Sequence, residues 1–152
     1  MDRPGYHDYV QRLRELAGGQ RPYVSRVSDP IWTITFREIP EPRHLTAFTF
    51  GVSDRDNAAW KNSKPELLIC VESDDPAWPA AIGHAAKVNT DSDSVFKAGG
   101  AFDFGEPITE ETQMSALFYY FPSVLGQESN LVMHDRRVGL VQAYPIYASE
   151  LE

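Results

Sequence analysis

The chain has 152 residues and 42 % hydrophobic content, which suits one globular domain with a substantial core. Its formal net charge of −8 disfavours partners that are themselves anionic, so we expect neither nucleic acid nor an acidic membrane surface. A single cysteine, Cys70, allows no internal disulfide framework and indicates a reduced, cytoplasmic protein. No window is long and apolar enough to cross a bilayer, and the N-terminus has no signal-peptide core.

The first predicted element is a short amphipathic helix. Apolar residues recur at helical spacing from Tyr9 to Ala17, and Gly18-Gly19 supplies a C-terminal stop. We divide the single domain, residues 1–152, into this helix with its linker at 1–23 and a core at about 24–152.

Two strands of a hairpin are predicted next. Residues 31–39 alternate apolar and polar side chains, which indicates a strand buried on one face only. Residues 45–52 are the predicted partner strand, with Gly51 at a bulge or a close approach of backbones.

The stretch 65–72, PELLICVE, is the predicted centre of the sheet. Its side chains are apolar on both alternations between Leu67 and Val71. A strand that is wet on one side alternates apolar with polar residues, so this pattern predicts cover on both faces.

The remaining elements complete an α+β domain. A helix is predicted over about 76–88, with proline in its first turn, and a short strand or extended arm over 102–104. Residues 114–121 are aromatic on both alternations and predict a second buried strand, followed by strands at 131–133 and 138–147. The expected fold is a mixed, mostly antiparallel sheet flanked by helices.

Recognisable catalytic and metal-binding motifs are absent from the sequence. The four histidines lie far apart, none at metal-ligand spacing from another, and Cys70 sits inside an apolar strand that would make its thiol inert. We therefore predict no enzymatic activity, no metal and no cofactor. An enzyme whose site is assembled from His84, Glu106 and His134 is the alternative from a different functional class.

Four segments in this order resemble the Suppressor of fused domain family over about residues 30–152. They read HLTAFTFGVS at 44–53, PELLI at 65–69, WPAA at 78–81 with FDFGEPI at 102–108, and VGLVQAYPIY at 138–147 leading to SEL at 149–151. The resemblance implies an α+β fold with a mixed sheet flanked by helices, as the strand and helix patterns also indicate.

The resemblance also implies a role in protein binding. Animal members are similar to two-domain regulators that hold a transcription-factor peptide between their domains. We expect only the first of those domains here, so no peptide-binding residue is carried over. Compact single-domain members resemble bacterial immunity proteins that neutralise toxins, and this is the function the resemblance implies. A regulatory interaction module without a toxin partner is the alternative.

Candidate contact residues follow from an acidic protein meeting a basic partner. Asp54 and Asp56 lie in a polar loop beside Trp60, and Asp74 and Asp75 follow the central strand. Trp60 is a candidate for recognition, or else a ring that folds back onto the sheet. The acids could equally be a solvated face. An unpaired sheet edge offers a second mode of binding, and we expect a monomer or a weak homodimer.

Overall fold

The structure is a computed structural model, and it describes residues 5–28, 31–54, 64–91, 99–122, 130–133 and 137–151. Within those residues the chain forms two helices, eight strands and two 3-10 turns. Their bounds in chain order are α1 Tyr6–Leu16, β1 Tyr23–Ser28, β2 Ile31–Arg37, β3 Leu45–Phe50, a 3-10 turn Val52–Asp54, β4 Lys64–Val71, α2 Ala77–Asp91, β5 Ala101–Asp103, β6 Ala116–Tyr120, β7 Asn130–Val132, β8 Arg137–Ile146 and a 3-10 turn Ala148–Glu150.

All eight strands belong to one sheet. The strand order is β1-β2-β3-β4-β8-β6-β5, and β7 pairs with β8 beside this path. The β4–β8 pair is parallel, whereas the other pairs are antiparallel. The predicted mixed, mostly antiparallel sheet with flanking helices is therefore confirmed, and β4 occupies the central position expected of residues 65–72.

The central strands of the sheet are buried between the two helices. One core cluster lies under α2 and takes Leu67 and Ile69 from β4, while the other lies under α1 and takes Leu68 from β4. Each of these three side chains is essentially inaccessible to water, and burying such a side chain contributes about 1.5–3 kcal/mol. The apolar pattern on both alternations of β4 thus reflects cover on both faces.

Helix α1 contributes directly to the core. Tyr9 and Leu13, one helical turn apart, are fully buried, and Ala17 follows at the next turn. Gly18 and Gly19 adopt φ values of 74° and 89°, a left-handed conformation that ends the helix where the sequence predicts. Within the described residues, neither helix has the length and apolar character needed to cross a bilayer.

The structure corrects three expectations about the strands. Strand β1 was not predicted from the sequence, which assigned no element to residues 24–28; it is an edge strand whose Tyr23 is 67 % exposed, so it lacks a buried apolar alternation. Strand β2 is buried on both faces rather than one, because α2 covers the side that carries Thr33 and Thr35. Strand β6 was expected to be buried on both faces, but its Tyr120 is 49 % exposed.

Candidate functional site

A buried carboxylate stands at the start of the central strand. Glu66 is fully buried on β4 and faces the end of β3. Its Oε1 accepts a hydrogen bond from the Thr49 hydroxyl at 2.8 Å. Its Oε2 accepts from the backbone N–H of Gly51 at 3.0 Å, and from the N–H and hydroxyl of Ser53 at 2.9 and 2.6 Å. Four donors therefore converge on one side chain.

The local sequence explains this convergence. Strand β3 ends at Phe50, and Gly51 turns the chain with a φ of 127°, which side-chain-bearing residues rarely adopt. The following 3-10 turn leaves its first N–H groups without partners in the turn, and Glu66 accepts from that of Ser53. The backbone N–H of Leu67 donates to the Thr49 hydroxyl at 2.9 Å, so that side chain continues the β3–β4 ladder beyond the Phe48–Leu68 pair.

Burial controls the charge of this carboxyl group. Removal from water raises the pKa of Glu66 to about 7, and the hydrogen bonds from Ser53, Thr49 and Gly51 oppose that rise by stabilising the carboxylate. Tyr9 of α1 lies near and donates its hydroxyl to the Thr49 carbonyl at 2.8 Å. Burial and the Glu66 charge together raise the Tyr9 pKa, so the phenol stays neutral.

The hydrogen bonds to Glu66 hold the turn that immediately precedes segment 55–63, one of the predicted binding segments. Asp54 ends the 3-10 turn that Glu66 holds, and the structure does not describe its side chain. Asp56 and Trp60 lie outside the described residues, so their roles stay predictions. Glu66 is thus a positioning residue for the entry to segment 55–63.

The other predicted acids lie at the far end of β4. Asp75 accepts a hydrogen bond from the Ala77 N–H at 2.9 Å and so caps the first turn of α2. Glu111 joins this corner from another segment: its carboxylate accepts from the Ser73 hydroxyl and from the Trp78 indole N–H at 3.1 Å. These two bonds lower the pKa of Glu111. Asp75 therefore has a structural role whatever it does toward a partner.

Asp74 is exposed in a groove of mixed charge. Arg37, Arg43 and Glu72 line the groove with it, and Arg37 donates to the Asp74 carbonyl at 3.3 Å. The nearby guanidinium groups reduce the negative potential that Asp74 would present to a basic partner.

The predicted acids that the structure describes lie toward opposite ends of β4. The Asp54 turn is attached to Glu66 at the start of β4, and Asp74 follows the end of β4 at Val71. Val71 lies five residues after Glu66 along the extended chain, a span of roughly 17 Å at ~3.3 Å per residue. A partner that touches both sets of acids has to extend along β4.

Two of the three residues in the enzyme alternative share a groove. His84 of α2 and Glu106 line a groove of about 380 Å³, where the His84 ring contacts Phe102 and Phe104 at centroid distances of 6.1 Å. His134 lies outside the described residues. No three His, Cys, Asp or Glu side chains in the described part of the chain are arranged to hold a metal ion. Cys70 is partly buried, which raises its thiol pKa.

The role of Glu66 was missed in the sequence interpretation. One acid inside the apolar run PELLICV is the available signal, because a carboxylate in such a strand needs several buried donors to remain there. Its partners come from Thr49, Gly51 and Ser53, a hairpin away, and sequence periodicity gives no information about those contacts.

Comparison with known proteins shows the family of the chain and solved structures with the same fold. The model of the Suppressor of fused protein (SUFU) family matches residues 28–152. The crystal structure of the Sufu–Fu complex matches with a TM-score of 0.75 at 14 % identity, over 97 % of this chain and 78 % of that chain. A SUFU homologue from Neisseria gonorrhoeae matches with a TM-score of 0.72 at 16 % identity, over 95 % of this chain and 80 % of that chain.

A third similar structure belongs to a longer protein. Drosophila Suppressor of Fused matches with a TM-score of 0.74 at 11 % identity, over 97 % of this chain but 43 % of that chain. At such identities these structures establish a shared fold. No curated protein matches the sequence of this chain.

Proposed function

Since this chain belongs to the Suppressor of fused protein family, we propose that it is a non-enzymatic protein-binding domain that acts in the cytoplasm as an immunity protein against a basic toxin. The observation that carries the proposal is the family match over residues 28–152 on a chain with a net charge of −8. The Neisseria homologue, with the same fold and comparable length, supports a bacterial setting.

Charge provides the mechanism of encounter. An acidic domain attracts a basic toxin over several ångströms, accelerates association and disfavours anionic competitors. Neutralisation then requires only that the bound domain covers the toxin's active site, so this chain needs no catalytic group of its own.

We assign partner contacts to both ends of β4, with Asp54, Asp56 and Trp60 at one end and Asp74 and Asp75 at the other. Glu66 supports this assignment at the first end, because its four hydrogen bonds hold the turn that leads into segment 55–63. A loop held at its base loses less conformational entropy when it binds than a free one does.

A regulatory interaction module without a toxin is the second candidate. The shared fold with the Sufu–Fu complex favours it, because that structure contains a protein partner. A toxin gene directly upstream of the gene for this chain distinguishes the two: its presence supports the immunity role and its absence supports the regulatory module.

An enzyme is the third candidate, favoured by the groove that His84 and Glu106 share. Titration of the two side chains by NMR tests it. Strongly displaced and mutually dependent pKa values would support catalysis, whereas ordinary independent titration would support the binding function.

The proposed function is tested by producing the tagged chain together with the neighbouring toxin. We expect a stoichiometric complex, protection of the cells, and an association rate that falls as salt rises. Changing Asp54, Asp56, Asp74 and Asp75 to asparagine should slow association and flatten its salt dependence, and Asp75→Asn retains an oxygen that can cap α2. The matched control is Glu15→Gln on the exposed side of α1. An unchanged rate and salt dependence in the asparagine variant would contradict the assigned contacts.

A further inference from the structure

One part of the sheet is open on the side that α1 covers elsewhere. Tyr119 of β6 and Ala143 of β8 belong to the core cluster under α2. Since successive side chains of a strand point to opposite faces, Phe118 and Tyr120 lie on the other face. There the cluster under α1 reaches β8 only as far as Leu140 and, among the described residues, includes none from β5 or β6. Helix α1 therefore leaves β5, β6 and the second half of β8 uncovered.

This open region carries a group of aromatic rings that we call the aromatic face: Phe118, Tyr120, Phe121 and Tyr144. Tyr120 is 49 % exposed and Phe121 is 64 % exposed. Phe118 and Tyr120 stack at 6.0 Å between centroids, and Phe121 meets Tyr120 edge to face at 5.0 Å. Tyr144 lies opposite Phe118 and donates its hydroxyl to the Phe121 carbonyl at 2.7 Å. These contacts hold the rings in position while leaving ring surface accessible.

The chain segments that form this part of the sheet carry charge of one sign. Residues 99–122 and 138–151 form this part of the sheet and its connections, and they contain no lysine, arginine or histidine. The acidic residues in the same ranges are Asp103, Glu106, Glu110, Glu111 and Glu150. Glu106 and Glu111 lie against α2, whereas the register of β5 places Asp103 beside the rings.

One of these acids lies on the aromatic face itself. Asp103 of β5 pairs with Ala116 of β6, in the same side-chain alternation as Phe118 and Tyr120. Tyr120 lies four residues after Ala116 along β6, a span of roughly 13 Å at ~3.3 Å per residue. An extended peptide covers that span with residues i and i+4.

We propose that the aromatic face binds an extended, arginine-containing segment of a protein partner, with one guanidinium stacked on Tyr120 and Phe121 and a second near Asp103. The proposal rests on the protein-binding function above and adds a further contact site for that protein partner. Arginine suits the site because its planar, weakly hydrated group stacks on aromatic rings and is attracted by their negative faces. The carboxylate of Asp103 adds a salt-dependent attraction.

The test is titration of the full chain, labelled for NMR, with a peptide of sequence Gly-Arg-Gly-Ser-Gly-Arg-Gly. We expect shifts at residues 101–103, 116–121 and 142–146, weakened by salt. The double variant Tyr120→Ala, Phe121→Ala should lose at least about tenfold in affinity, since two cation–π contacts together contribute about 1.4 kcal/mol or more. Asp103→Asn, which retains the oxygen that accepts from the Gly105 N–H, should flatten the salt dependence.

Two controls distinguish binding at the aromatic face from general electrostatic attraction to the acidic chain. Tyr23→Ala removes an equally exposed ring from the opposite edge of the sheet and should leave affinity unchanged. A peptide with citrulline in place of arginine should not bind. Failure of the arginine peptide to bind, or equal losses in Tyr23→Ala and the double variant, would overturn the proposed site.

The two proposals fail in different ways. If the double variant still forms the toxin complex with full affinity, the immunity function stands and the aromatic face is wrong as its contact site. If no toxin binds the wild-type chain, the immunity function fails, while the peptide titration still decides whether the aromatic face recognises arginine.

Discussion

The Glu66 carboxylate accepts two hydrogen bonds from Ser53, one from its backbone N–H at 2.9 Å and one from its hydroxyl at 2.6 Å. With the bonds from Thr49 and Gly51, they join the central strand to the turn at the base of segment 55–63. The buried acid therefore links the core of the fold to a surface that we assign to partner binding.

Replacing Glu66 should show how much the fold depends on this acceptor. Glu66→Leu leaves the N–H groups of Gly51 and Ser53 buried without an acceptor, at about 1–3 kcal/mol each. Glu66→Gln retains one oxygen for both groups and should cost less. Urea unfolding measures the order, with wild type and Glu66→Gln both more stable than Glu66→Leu. A leucine variant as stable as wild type would refute the role of the carboxylate.

Stability should also depend on pH through Glu66. Burial raises its pKa in the folded state from 4.5 to about 7, so the folded chain binds more protons than the unfolded chain between those values. Stability therefore falls as pH rises from about 4.5 to about 7, by on the order of 3 kcal/mol at 1.36 kcal/mol per pH unit. Tyr9, which faces Glu66 from α1, has a raised pKa and stays neutral throughout.

The variant Glu66→Gln isolates this effect. Its stability should change little over the same pH range, because the amide does not titrate. The pKa of Glu111 is lowered in the folded chain, so its contribution to stability is lost as pH falls below its ordinary pKa. This contribution is the same in wild type and in Glu66→Gln, so it cancels in their difference. Parallel pH profiles for wild type and Glu66→Gln would contradict the assignment.

The cap of α2 predicts a different stability effect for each of two adjacent acids. Asp75→Ala removes the acceptor for the Ala77 N–H and should destabilise the chain by about 0.5–2 kcal/mol. Asp74→Ala should stay within about 0.5 kcal/mol of wild type, because the Asp74 side chain is exposed and Arg37 contacts its backbone carbonyl. Thermal unfolding of both variants checks the prediction, and equal losses would contradict it.

Helix α1 should be essential to the core. Leu13 is fully buried among the side chains under the helix, so Leu13→Ala should cost about 2–5 kcal/mol. Gln11→Ala, on the exposed side of the same helix, is the matched control and should be nearly neutral. Chemical denaturation of the two variants measures the difference, and a neutral Leu13→Ala would show that α1 is peripheral.

Sequence patterns predicted the elements in which buried apolar residues recur at the regular spacing of a strand or a helix. The run 65–72 predicted the central strand because both of its alternations are apolar, and Tyr9 to Ala17 predicted α1 because its apolar spacing is helical. The pattern failed at β1, where an edge position needs little burial, and at β2, where threonines lie buried under α2. Both failures arise from contacts between elements distant in sequence.

The sites were less predictable than the fold. The aromatic residues of β6 predicted a buried strand, but the extent of α1 decides which rings are covered, and α1 does not reach Tyr120. The sequence places Glu66 within an apolar strand but does not reveal its hydrogen-bond donors. These donors come from Gly51 and Ser53, which the turn after β3 brings next to the carboxylate. Asp75 shows the converse, since a candidate contact acid proved to be a helix cap.

The most direct test of the central claim is co-purification of the tagged chain with the product of the neighbouring toxin gene at low and at moderate salt. Our account predicts a stoichiometric complex with a basic protein, weaker as salt rises, and loss of toxin activity in the bound state. A chain that elutes alone at both salt concentrations, beside a toxin that stays fully active, would contradict it.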